Sequence, residues 1–383
     1  MVPNPFITNG YVSPHYFCDR VEETGQLTRL ISNGNNVALI SPRRLGKTGL
    51  IQHCFQQGDI KEHYYTFIVD IYATKNLQEF VYELGKAVLS VLKSKGRKAW
   101  EKFVNTIGSL RSNISFDING NPEWGLGVGD IKVPEFTLDE IFAYLEQADK
   151  PCIVAIDEFQ VIADYPDNKV EAVLRTRIQK CRNTWFIYSG SQRHMMSEIF
   201  VSPSRPFYQS TSLMTIGPID CEKYAVFAQG LFWEYHKEIS REAVVATYQR
   251  YEGVTWYVQS VLNALFALTG PSTLCTEEMI GPAIQQIITQ QSFAYKALLF
   301  QLPSKQKEVL MAICKEGRAT NLTSRPFLQR YHLTASTVQG AVKGLLEKDF
   351  ITHDMGTYTL YDQFFAQWFM QQKGTFPDYL TPF

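Results

Sequence analysis

Ser41-Pro42-Arg43-Arg44-Leu45-Gly46-Lys47-Thr48 follows the apolar run Val37-Ala38-Leu39-Ile40, and much later in the chain Ile153-Val154-Ala155-Ile156 ends in Asp157-Glu158. A strand that ends in a tight loop and opens a helix at Gly-Lys-Thr aims a row of backbone N–H groups and the positive helix end at one point, where a triphosphate can sit. Ser41, Pro42, Arg43, Arg44, Leu45, Gly46 and Gly49 then build the loop and helix start, Lys47 reaches the β and γ phosphates, and Thr48 holds Mg²⁺ through its hydroxyl. The second run delivers Asp157 to the metal and Glu158 beside it, where a carboxylate orients or deprotonates an attacking water. Neither half decides the fold alone. Together they predict an α/β nucleotide-binding domain with ATP/ADP and Mg²⁺ as its cofactors.

The usual loop pattern begins with Gly, and here Ser41 stands in that position. Gly is favoured where the backbone needs unusual φ/ψ and approaches phosphate closely. Serine is small enough if its φ is negative, so the loop reads as a variant. The competing reading of Arg43, Arg44 and Lys47 as a solvated basic turn leaves the Asp157-Glu158 strand unexplained.

The chain has 383 residues, enough for two or three domains, and its charge is nearly balanced, with 37 basic against 38 acidic residues. No global basicity points to nucleic acid. Seven cysteines are scattered without a CxxC pair, which argues against a zinc site or a disulfide framework and suits a reducing cytosol. Cys18, Cys54 and Cys152 read as small core residues. The N-terminus lacks the basic-then-apolar pattern of a signal peptide, and no apolar run approaches membrane-span length. The expectation is a soluble, cytoplasmic protein with no membrane contact.

Short apolar strands alternate with amphipathic helices through the first part of the chain, the pattern of a parallel sheet covered on both faces. Five strands are expected, over 36–40, 65–71, 152–156, 185–189 and 213–216. ATPases with such a loop and acidic strand end insert a strand between the two, and by that likeness the fourth is the candidate, with Ser191 and Gln192 at its end reaching the gap between the γ phosphate and Glu158. A plain Ser-Gly-Ser turn is the alternative. Around Asn119-Gly120 the residues alternate, which predicts an inserted β-hairpin within about 96–134, read as a partner-contact element or as an inert loop.

After Gly217-Pro218 the pattern turns helical, with helices expected over 220–235, 241–251, 255–268 and 276–291 and breaks at Gly253, Gly270-Pro271 and Gly281-Pro282. A small helical domain directly after a phosphate-loop domain is a lid that converts nucleotide state into an interdomain angle. The last segment reads as helix, helix, helix, hairpin: 304–315, 325–331, a third capped at Thr334 and running to Lys348, and a wing over 351–360 turning at Met355-Gly356. That is a winged helix-turn-helix. Its third helix presents Ser336, Thr337, Gln339 and Lys343, yet from Pro303 onward nine Lys/Arg face seven Asp/Glu, a weak footprint for duplex DNA. Protein docking or packing within the chain is the favoured use of this domain and DNA binding the alternative. The domain division is 1–218, 219–295 and 296–383.

Asn4-Pro5-Phe6, Phe17-Cys18-Asp19-Arg20 with Glu22-Glu23 behind it, the Ser-Pro-Arg-Arg-x-Gly-Lys-Thr loop, Asp157-Glu158-Phe159-Gln160 and Gly190-Ser191-Gln192-Arg193 together resemble the archaeal-type ATPases. These are AAA+-related P-loop NTPases close to the STAND class and to origin-recognition ATPases, many of them from Bacteroides-like bacteria. The resemblance covers nearly the whole chain. It implies a P-loop parallel sheet sandwich of AAA+/ASCE type with a helical lid and a C-terminal winged helix. It places Phe17, Asp19 and Arg20 along the adenine side of the pocket, with a helix N-cap at Asp19 as the plainer reading of that box. It also offers Arg193 as a γ-phosphate sensor and Arg205 as a finger for a neighbouring subunit, each with a plain surface arginine as the alternative. Relatives often carry Gly-x-Pro where this chain has Gly253-Val254-Thr255, a departure from the pattern of the lid contact to the base that leaves Trp256 or Tyr257 to pack nearby. The implied activity is Mg²⁺-dependent ATP hydrolysis driving a conformational switch, with a protein partner and oligomerisation. The alternatives are an ATP-gated DNA-binding regulator or origin-like loader, and a non-hydrolysing nucleotide-bound scaffold.

Overall fold

The apolar runs named above become strands, and those over 37–40 and 152–156 are buried at every position. A computed structural model of the chain describes residues 4–93, 115–116, 122–123, 128–354 and 356–372. Two compact units are present: Pro5–Phe227 with Tyr248–Gln259, and Met1–Asn4 with Ala228–Thr247 and Ser260–Phe383.

In the first unit the strands are β1 (Val37–Ile40), β2 (Tyr65–Asp70), β3 (Ser115–Phe116), β4 (Pro122–Glu123), β5 (Cys152–Asp157), β6 (Thr184–Gly190) and β7 (Ser212–Met214). Five of them form one parallel sheet in the order β2-β5-β6-β1-β7. The fourth expected strand, β6, therefore lies between β5 and β1, with Val37 beside Ile187 and Val154 beside Phe186. All of β1 is buried, as both-sided cover of a parallel sheet requires.

The helices α1 (Val21–Ser32), α2 (Lys47–Phe55), α3 (Gly58–His63), α4 (Leu77–Lys93), α5 (Pro134–Glu146), α6 (Val170–Ile178) and α7 (Arg193–Val201) supply that cover. Strand alternation divides the apolar side chains between two cores. Val37, Leu39, Ala155 and Ile187 pack with Leu27 of α1 and Leu50 and Ile51 of α2. Ala38, Ile40, Val154, Ile156, Phe186 and Tyr188 pack with residues of α4, α5, α6 and α7. β3 pairs antiparallel with β4, while the Asn119-Gly120 turn, Gly125 and Gly127 lie outside the described residues.

The remaining helices are α8 (Cys221–Glu234), α9 (Arg241–Arg250), α10 (Thr255–Leu268), α11 (Ile280–Phe300), α12 (Ser304–Glu316), α13 (Arg325–Arg330), α14 (Ala335–Glu347) and α15 (Gln363–Met370). One expectation needs correction. The helix read over 276–291 begins only at Ile280, after a 3₁₀ turn over Glu277–Met279, and runs on to Phe300. Gly281-Pro282 is no break, because a proline in the first helical turn lacks an N–H that the helix does not use there.

In the second unit β8 (Glu238–Ile239) pairs in parallel with β9 (Leu274–Cys275). Its C-terminal part is the expected winged helix: α12, α13 and α14, then a three-stranded sheet in the order β10-β12-β11 made by Ala319–Thr320, Thr357–Leu360 and Ile351–Asp354. Thr334 caps α14, its side chain accepting from the Thr337 N–H. Gly356 follows Met355, which lies outside the described residues, and takes φ +81°, a conformation open to glycine at little cost. Trp368 of α15 donates its indole N–H to Ser292 Oγ on α11 at 3.1 Å, and Tyr295 packs edge-on against Phe365.

Candidate nucleotide site

The loop after β1 explains its own serine. Ser41 is fully buried and donates its hydroxyl to the Ile216 carbonyl at 2.8 Å. Its φ is not positive; Arg44 (φ 68°) and Gly46 (φ 90°) make the left-handed turns instead. A left-handed non-glycine residue needs outside support, and Arg44 has it: its carbonyl accepts from the Trp256 N–H at 3.0 Å. Its guanidinium carbon stands 4.3 Å from the centre of the Trp256 ring and 4.8 Å from that of Tyr257, and it donates to the Tyr257 hydroxyl.

Lys47 opens α2 and is almost fully buried, its ammonium donating to the carbonyls of Ser41 at 2.9 Å and Pro42 at 3.0 Å. Burial pulls its pKa down to about 8, against the upward pull of Glu158 and Asp157, and Arg43 adds to the lowering. Thr48 donates its hydroxyl to Asp157 Oδ2 at 2.5 Å, while Ser189 at the end of β6 donates to Asp157 Oδ1 at 2.7 Å. On the other side of Asp157 in the sheet stands Asp70, whose carboxyl pKa is raised by burial and then by the charges of Asp157 and Glu158, against the lowering pull of the Tyr72 N–H. Glu158 follows β5 at φ 56°. Its Oε2 accepts from Gln160 Nε2 at 2.5 Å and from Ser191 Oγ at 2.8 Å. Ser191 Oγ accepts in turn from Arg43 Nε at 2.8 Å, so the loop and the acidic strand end are joined through β6.

Some of these residues line a cleft of about 430 Å³. Arg43, Arg44, Leu45, Gly46, Lys47, Thr48, Gly49, Asp157 and Glu158 form one end, and Tyr11, Tyr16, Phe17, Gln52, Ile219, Tyr224 and Trp256 bring aromatic and apolar surface. Phe17 stacks on His53 with ring centres 4.4 Å apart, and the Tyr11 hydroxyl lies 3.0 Å from His53 Nδ1. Gly49 lies close to the Phe17 ring, since a Cβ there would be 3.4 Å from it. Arg20, 2% exposed, donates to the Leu45 carbonyl at 3.1 Å and to Glu23 at 2.6 Å. It thus ties the segment before α1 to the phosphate loop. The N-cap reading of Asp19 is corrected: Arg20 occupies the N-cap of α1, and the Asp19 carboxylate accepts from Lys223 at 3.2 Å.

Among the expected site residues, Ser41, Pro42, Asp19 and Ser191 do not line the cleft. The first two give their carbonyls to Lys47, and Ser191 acts through Arg43 and Glu158. Arg193 is the first residue of α7 and is not part of the lining. Arg205 pairs with Glu171 and, at 3.2 Å, with Glu198. Sequence reasoning missed Ser189, Gln52, Tyr11 and His53. The helical spacing of Gln52 four residues after Thr48 was a usable signal; Ser189 and Tyr11 come together with the site only through tertiary contacts.

Residues 293–371 match the family model described as "Probable winged helix domain", whereas no curated protein matches the chain by sequence. Among solved structures, a Walker-type ATPase of Pyrococcus abyssi superposes with a TM-score of 0.65 at 16% identity, covering 95% of this chain and 99% of that one. The ORC2 protein of Aeropyrum pernix, in its ADPNP–ADP complexes, gives 0.57 at 13% identity over 95% and 96%. The ORC1 protein of the same organism, in complex with DNA, gives 0.53 at 14% identity over 97% of each chain. This chain shares the fold of these structures, an α/β domain built on a parallel sheet, and its last part is a winged helix.

Proposed function

We propose that the protein is a Mg²⁺-dependent ATPase of the AAA+/STAND-like kind whose nucleotide state works as a conformational switch. One observation carries the reading: Lys47, Thr48, Asp157 and Glu158, drawn from two distant stretches of sequence, meet at one cleft. The donor set fits magnesium, since a hydroxyl and a carboxylate that already touch, Thr48 and Asp157, are the hard oxygen ligands that ion takes alongside water and phosphate. When bound, the ion supplies neutralisation of charge on the β and γ oxygens. The protein's own groups do the rest. Lys47 turns its ammonium from the Ser41 and Pro42 carbonyls to the phosphates, the loop N–H groups hold the chain of phosphates, and Glu158 orients the attacking water. Arg193 is the sensor cation in this reading, and Arg205 must leave Glu171 and Glu198 to act as a finger on a second copy.

The test is nucleotide content and ATP turnover of the purified protein. Glu158→Gln should keep ATP affinity and lose turnover by about 10²-fold or more; turnover at the parent rate in that variant would remove Glu158 from the role. Bound ADP with no turnover in the parent would turn the reading into a non-hydrolysing scaffold.

The winged helix is proposed to dock a protein, because Lys343 on the exposed side of α14 lies 4.0 Å from Glu347, which offsets its charge. A DNA-binding reading draws on the exposed Ser336, Gln339 and Lys343 of α14 and on the DNA complex of the A. pernix ORC1 protein. Among the described residues no helix is long and apolar enough to cross a membrane.

A further inference from the structure

Glu158 does not stand free at the end of β5. Both of its hydrogen-bond donors, Gln160 Nε2 at 2.5 Å and Ser191 Oγ at 2.8 Å, fall on the one oxygen Oε2, and Glu158 itself lines the cleft. Its left-handed backbone, φ 56°, turns the chain back at once into the 3₁₀ helix Phe159–Asp164, which brings Gln160 to the carboxylate. Gln160 is 2% exposed, and its Oε1 is buried without a partner among the described residues. An orphaned amide oxygen is unfavourable, and a leucine would fill a similar volume without it. Packing therefore does not account for the glutamine, whereas its N–H donation to Glu158 does.

The neighbouring strand is shaped around this amide. A Cβ on Gly190 would lie 2.5 Å from Gln160 Oε1 and 2.4 Å from Met196 Sδ. Gly190 has no left-handed φ, so glycine is needed there for room and not for backbone freedom.

We propose that Gln160 is a positioning residue for ATP hydrolysis, fixing the Glu158 carboxylate through Oε2 so that Oε1 is presented to the attacking water, and that Gly190 makes the seat for its amide. The proposal rests on the ATPase reading above, which gives Glu158 the water. Gln160 exchanges no proton and touches no phosphate; it acts only through the geometry of Glu158. Misplacement of a reacting group by about 1 Å can cost about 10²-fold in rate.

The experiment compares ATP turnover, ATP affinity and Tm for the parent, Glu158→Gln, Gln160→Leu, Gly190→Ala and the Gln160→Leu/Gly190→Ala double variant. Gln160→Leu should lower kcat by about 10- to 100-fold, leave KM and ATP affinity within about twofold, and leave Tm unchanged or raised because the orphaned oxygen is gone. Gly190→Ala should show the same kcat loss, since its methyl displaces the amide, and the double variant should be no slower than the slower single variant. Parental kcat in Gln160→Leu beside a slow Glu158→Gln would overturn this inference and leave the ATPase reading standing. Additive losses in the double variant together with a lowered Tm would reduce Gln160 to a packing residue and overturn it equally. An inactive parent, or parental turnover in Glu158→Gln, would remove both.

Discussion

Lys47 is a charge kept out of water whose direct partners among the described residues are the carbonyls of Ser41 and Pro42, and that sets its titration. In the nucleotide-free protein its pKa lies at about 8, down from 10.5, so the ammonium is present below that pH and lost above it. Phosphate binds the charged form, and ATP affinity should be level from pH 6.5 to 7.5 and fall by up to about tenfold per unit above pH 8. Calorimetric titrations across that range check it, and a constant affinity to pH 9.5 would contradict the placement. The sign for stability runs the other way. Between about 8 and 10.5 the unfolded chain binds a proton that the folded one does not, so this residue's penalty on the nucleotide-free protein fades as pH rises. Lys47→Ala should abolish tight binding while leaving the fold intact. At this scale the sequence was legible where chemistry is local: Gly-Lys-Thr and Asp-Glu each announce themselves within a few residues. Gln160 was visible in the same way but without a role, because its meaning depends on the absence of a side chain at Gly190 on another strand.

Among the elements, β6 decides most. It sits between the two motif-bearing strands, brings Ser189 to Asp157, and leads directly into Ser191 beside Glu158. Tyr188 in the same strand is fully buried, and its hydroxyl has no partner among the described residues. Tyr188→Phe should therefore be neutral or stabilising, by up to about 1–3 kcal/mol, as read from denaturant midpoints; a loss above about 1 kcal/mol would mean that the hydroxyl is satisfied. The start of α10 is the second decisive element, since Thr255 and Trp256 contact the carbonyls of Leu45 and Arg44. Removing the indole face in Trp256→Ala should loosen Arg44 and weaken ATP binding by about 2- to 30-fold, the range of a cation–π contact worth about 0.5–2 kcal/mol. The five strands of the parallel sheet followed from apolar periodicity, the pair β8 and β9 after Gly217-Pro218 did not, and the boundaries of α10 came out as expected. The start of α11 did not, because Gly-Pro punctuates a chain in two ways, ending one helix or opening another, and only packing selects between them.

For the molecule as a whole, the open question is what its winged helix meets. If it docks protein, the full chain should bind duplex DNA weakly, with a shallow salt dependence and no change in Lys343→Ala. A steep fall in affinity with salt, reduced by that substitution, would favour DNA. The sequence by itself determined the Gly-Lys-Thr loop after β1, the acidic strand end, the alternation that makes a two-sided parallel sheet and the helix-and-hairpin grammar of the last segment. Each is written in neighbouring residues, where hydrogen-bonding geometry and burial period act over short range. Tertiary structure alone decided that Arg20 braces the loop at Leu45, that Arg44 takes the left-handed turn against Trp256, that Asp19 serves Lys223 and not a helix end, and that Gly190 leaves room for Gln160. Those contacts join residues from distant stretches of the chain, and only the folded sheet order sets which side chains share a space.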